Sequence, residues 1–164
     1  MTNLFAWAST SCAHPERGNQ TGKELKVAPW YFFGQTDVIR WKDKEKGKEC
    51  ARISKLLCKN KSIGYSQSDR YSLFTLASKC GWNIDKLLKA LKTTKVNTDC
   101  SQLACVCVNL TLQREKIHDW YTGSMVGIAK NLPLYFTTFK YVKGYKTQKG
   151  DFEVAPNKHT IINC

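Results

Sequence analysis

From Asp43 to Lys59 the side chains of Cys50, Ile53, Leu56 and Leu57 recur at helical spacing while lysines, Arg52 and acidic residues fill the other face. The stretch predicts an amphipathic helix. Ser68 to Cys80 predicts a second, with Leu73, Leu76, Ala77 and Cys80 on one side and Gly81 as its stop. Asn83 is a cap for a third, which turns Ile84, Leu87, Leu88 and Leu91 inward. After Asn97-Thr98-Asp99 the run Leu103–Leu110 is apolar nearly all round, the pattern of a helix buried on most sides. A short helix fits Ser124–Lys130, and then the pattern changes. Tyr135–Val142 is aromatic and β-branched; Phe152–Val154 and Lys158–Asn163 read as strands joined by a turn at Pro156-Asn157. Upstream, Pro15, Gly18, Gly22 and Pro29 predict that the chain begins with a loop, followed by a short extended stretch ending in Trp30-Tyr31-Phe32-Phe33. The order predicts an α+β domain, a helical N-terminal half packed on a small antiparallel sheet.

A length of 164 residues is the size of one ordinary domain, so residues 1–164 are expected to form a single unit. No apolar run approaches the ~20 residues that cross a bilayer. Met1–Ser11 has no basic region and few apolar residues, so a standard secretory signal is not expected. The eight cysteines lie mostly in apolar, helical segments and lack Cys-x-x-Cys spacing. This pattern favours reduced, buried thiols over a disulfide framework or a metal site. The net charge of +13 predicts attraction to polyanions. The aromatics are not interleaved with basic residues in a nucleic-acid motif, so no specific nucleic acid is expected.

A thiol attacks as its thiolate, which a helix N-terminus and a neighbouring histidine favour. If Asp99 caps the fourth helix, Cys100 stands in its first turn, with a backbone N–H available to an oxyanion. Asp99 would raise the thiol pKa unless it turns back onto the helix amides. His159 opens a strand downstream of the helix, whereas His118 lies in a polar connector and His14 in the Gly-rich N-terminal segment. Cys100 with His159 is therefore the candidate nucleophile–base pair; a structural cysteine and an unrelated strand histidine are the alternative.

Three motifs resemble the NlpC-type papain-like peptidases that cut bacterial peptidoglycan. Asn97-Thr98-Asp99-Cys100-Ser101-Gln102-Leu103 is similar to their Asp-Cys-Ser nucleophile motif. Lys149–Val154 and Lys158–Ile162 are similar to their Gly-Asp and His strands. Gly18–Glu24 with Trp30-Tyr31 resembles versions found in phage-derived wall lysins. The resemblance implies a papain-like NlpC-type fold, catalysis by Cys100 and His159, no metal or cofactor, and hydrolysis of amide bonds in stem peptides, usually the one between D-glutamate and the diamino acid. It also implies a peptidoglycan or muropeptide partner and a monomer acting outside the producing cell or in a compartment that contains bacterial wall. Gln20, His14 and Asp99 are candidates to stabilise the oxyanion or orient the base. Trp30, Tyr31 and Ser101 are candidates for the substrate groove; core aromatics and a helix-start hydrogen-bonder are the alternatives. Gln102 stands where the family commonly has Gly. The family's third catalytic residue has no counterpart: Asn163 shares the face of His159 but lies ~13 Å along the strand. The rival functions are a papain-like protease or amidase for another substrate and a non-catalytic polyanion-binding domain.

Overall fold

The computed structural model describes residues 4–8 and 24–164. In chain order its elements are β1 (Leu4–Ala8), β2 (Leu25–Pro29), β3 (Asp37–Trp41), α1 (Lys44–Cys58), β4 (Ile63–Tyr65), α2 (Ser72–Lys79), α3 (Ile84–Ala90), β5 (Val96–Thr98), α4 (Cys100–Leu112), α5 (Met125–Lys130), β6 (Phe136–Lys140), β7 (Phe152–Ala155) and β8 (His159–Asn163). The fold is α+β, as expected. The helices form where their caps and periodicity place them. Asp43 accepts from the amides of Glu45 and Lys46, Asn83 from Lys86, and Asp99 from Gln102. Gly81 takes a left-handed φ of 65° after α2, a conformation that costs glycine little.

The sheet differs from expectation. It has six strands in the order β2-β1-β8-β7-β3-β6, with every neighbouring pair antiparallel, and three of them come from the first 41 residues. The loop expected at the start of the chain gives way to β1 at Leu4–Ala8. Both β1 and β3 are interior strands whose residues are buried on both sides: Phe5, Ala6 and Ala8 in β1, Val38 and Ile39 in β3. Such strands read as continuous apolar runs without the period of two that marks a half-exposed strand. Short β4 and β5 form a separate parallel pair, which interrupts the expected all-helical middle.

The core lies between the helices and one sheet face. Phe152, Val154, Ile162, Ile39 and Trp41 share it with Leu57 of α1 and Leu103, Val106 and Cys107 of α4. Residues 100–110 of α4 are buried without exception, as the all-round apolar pattern requires. Among the described residues the cysteines are all free, and only Cys80 is not fully buried. No helix of the described residues is long and apolar enough to cross a membrane.

Candidate active site

Asp99 ends the extended segment before α4 and turns its carboxylate back onto the helix. Its Oδ1 accepts from Gln102 N at 2.7 Å and from Ser101 Oγ at 3.0 Å. Its Oδ2 is paired at 2.8 Å with Nε of Arg70, from the turn before α2. The Arg70 Nη2 reaches Ser101 Oγ at 3.2 Å, Gln102 Oε1 at 3.4 Å, the Trp120 carbonyl and Asp119 Oδ1 at 3.3 Å. One guanidinium thus neutralises the cap and ties the start of α4 to residues 119–120. Ser101 is committed to this network and is buried, so it lies beneath the site rather than along a groove.

Cys100 occupies the first helical position, with its side chain buried. The β1–β8 ladder runs only through Phe5↔Asn163 and Ala6↔Ile162. Beyond it, the Thr160 backbone amide comes close enough to the Cys100 sulfur to favour its thiolate, as do the amides of Ser101 and of Cys100 itself. These amides lower the thiol pKa, but burial first and Asp99 second outweigh them and push it up to about 12. The thiolate expected at this helix start is therefore not the resting form.

His159 is the residue before Thr160. It pairs with Ala155 across the β7–β8 hairpin and meets the Phe33 ring edge-on, with centroids 5.2 Å apart. Burial lowers its pKa to about 4. Cys100 and His159 thus come to the same end of β8, each neutral at pH 7. Since an unfolded histidine protonates near 6.5, the unfolded chain binds more protons than the folded one between pH 6.5 and 4, and stability falls as pH drops through that window. The full loss is about 3 kcal/mol. Melting temperatures at pH 7 and 4.5 should show it, and His159→Gln should flatten the difference.

Two phenols lie within the electrostatic reach of the thiol. Tyr31 has its pKa raised by burial and by Cys100, and Tyr65, at the end of β4, has its own raised to about 12 by the same two causes in the same order. Tyr31 was a groove candidate from sequence; Tyr65 and Arg70 were not found there. Each lies some 30 positions from Cys100, so no local spacing points to it; the one signal was that a carboxylate at a buried helix start requires a cation.

Trp30 takes another position. Its Nε1 donates to Glu153 Oε2 at 2.9 Å, where Gln35 Nε2 also donates at 2.7 Å, while Tyr145 donates to Oε1 at 2.7 Å. It lines a cleft of about 500 Å³ with Tyr141, Tyr145 and Glu153. Asn163 is not turned to His159: its Nδ2 donates to the Gln148 carbonyl at 2.9 Å. His118 is exposed and holds Glu115 at 3.0 Å. Gln20 and His14 lie outside the described residues. Among the described residues no group of three or more His, Cys, Asp or Glu side chains is arranged to hold a metal.

No curated protein and no solved structure matches the chain. A family model described as the endolysin-like domain matches residues 12–164, a description that points to peptidoglycan hydrolysis and a cell-wall lytic role. With nearly its whole length matched, the chain belongs to the endolysin-like domain family.

Proposed function

We propose that residues 1–164 act as one catalytic domain of the NlpC, papain-like type, a cysteine peptidase or amidase that cuts stem-peptide amides of peptidoglycan with Cys100 as nucleophile and His159 as base. The observation that carries this reading is that α4, which begins at Cys100, packs on β8, which begins at His159, with the Thr160 amide near the thiol.

With the thiol pKa near 12 and the imidazole near 4, no thiolate–imidazolium pair waits in the free chain. His159 instead takes the thiol proton as sulfur bonds to the substrate carbonyl carbon. The oxygen becomes an oxyanion, for which the Cys100 N–H and the Tyr65 hydroxyl are the proposed donors. When the C–N bond breaks, His159 gives its proton to the departing amine. Water, deprotonated by His159, then hydrolyses the thioester and restores the thiol. Tyr31, which feels the charge of the thiol, is the proposed groove residue. The bond between D-glutamate and the diamino acid is the proposed cut.

Digestion of purified peptidoglycan, with the released fragments weighed by mass spectrometry, tests the reading. Fragments with a new amine and a new carboxyl inside the stem peptide are expected; new reducing sugar ends would mean a glycosidase and overturn it.

A further inference from the structure

The N-terminal end of α1 carries a feature that the proposed reaction does not use. Lys44 and Lys48 of α1 and Lys146 and Lys149 of the loop before β7 converge on a cleft of about 340 Å³, which Trp41, Gly47 and Gln148 complete. Two segments about a hundred positions apart supply these cations, and buried structure holds them in register. Gly150, at φ 81°, packs so closely on Gly47 that a Cβ on it would lie 2.4 Å from the Gly47 carbonyl oxygen. Asp151, fully buried, accepts from Arg40 Nε and Nη2 at 2.9 and 2.7 Å, and the same Nη2 also donates to the Lys146 carbonyl at 2.8 Å. Asn163 holds the Gln148 carbonyl. The Gly-Asp motif thus serves to fasten a lysine-bearing loop over α1.

All four lysines are exposed. Of these four, only Lys48 is in an ion pair with a described residue, a 2.7 Å contact with Glu45 whose partners are both more than half exposed. Such a pair contributes little. Like charges gathered in one concavity repel each other unless an anion lies between them. The first-turn amides of α1 are already taken by Asp43, so the ammonium groups and the Gln148 amide are the donors on offer. Several cations with no carboxylate on the cleft wall suit a phosphodiester, which keeps its charge at every physiological pH.

We propose that this cleft binds successive phosphodiester groups of an anionic cell-wall polymer and so retains the domain on its substrate. The choice of polymer rests on the wall-lytic reading; the anion chemistry does not.

The test uses the full chain and a soluble poly(glycerol phosphate), measured at 50 and 200 mM salt. The polymer has no amide bond, so binding reads the cleft independently of Cys100 chemistry. Two triple variants are compared: Lys44→Gln, Lys146→Gln, Lys149→Gln in the cleft, and Lys86→Gln, Lys89→Gln, Lys92→Gln on exposed positions in and just after α3. Both remove three charges, and both should melt close to wild type. The cleft variant should weaken binding at least about tenfold and flatten the salt dependence by about two phosphate contacts, while the control changes it less than about threefold. Equal weakening by the two variants, or no binding by wild type, overturns the proposal. So does duplex DNA of equal phosphate count that binds as tightly and depends on the same lysines.

Discussion

Replacing His159 with alanine should lower kcat/KM on a stem-peptide substrate by at least about 10³-fold, the same order as replacing Cys100, whereas Asn163→Ala should leave it within a few-fold. A neutral thiol with a pKa near 12 gives almost no thiolate at neutral pH, so attack depends on a base that removes its proton in the transition state. His159, at this end of β8, is the proposed base. Asn163 would be the expected third member by position on the strand, but its amide holds the Gln148 carbonyl and its role is to anchor the 146–150 loop. Its loss should appear as about 1 kcal/mol of stability, from a part-buried carbonyl that loses one of its two donors and keeps the Asp151 amide. A loss of about 10⁴ in rate at Asn163 would show that it orients the imidazole after all. Steady-state kinetics with melting curves separates these outcomes.

Arg70→Met should destabilise the chain by about 2–4 kcal/mol and slow hydrolysis as well. The substitution keeps much of the side-chain bulk but leaves Asp99 buried without its counter-charge, and it removes the donor to Ser101, Gln102 and the Trp120 carbonyl. For a chain of this length that is a fall in melting temperature of roughly 10 °C. The rate should fall because the thiol pKa, already raised by Asp99, rises further when that carboxylate is uncompensated. Combining Arg70→Met with Asp99→Asn separates charge from packing. Asparagine caps a helix about as well as aspartate and carries no charge to leave unpaired, so the double variant should recover a large part of the lost stability. If it is no more stable than Arg70→Met alone, the ion pair is not what Arg70 contributes.

The sequence carried the elements nearest the proposed chemistry. Asp99 as a cap, the all-round apolar run of α4 and the turn at Pro156-Asn157 were legible because each is a local signal: a capping side chain, a period, a residue that accepts positive φ. The strands β1 and β3 were not, since burial on both sides removes the alternation by which a strand is recognised. Nothing local marked the setting of Glu153, over which the folded chain closes Trp30, Gln35 and Tyr145. The helix-start rule for cysteine gave the wrong sign for the resting thiol. It counts the amides at the helix end but not the burial of the thiol in the folded chain, to which the Asp99 charge adds. Arg70 escaped for the same reason: its partners are adjacent in space and far apart in sequence.

The central claim, that Cys100 is the nucleophile of a peptidoglycan amide hydrolase, is tested most directly by digesting purified peptidoglycan with wild type and Cys100→Ala in parallel. The two proteins should melt alike, since the substitution removes one sulfur atom from the first turn of a long helix. Wild type should release fragments with new amine and carboxyl ends within the stem peptide, and Cys100→Ala should release them at least about 10³-fold more slowly. A Cys100→Ala protein that keeps its fold and still releases the same fragments at more than roughly a tenth of the wild-type rate would contradict the assignment.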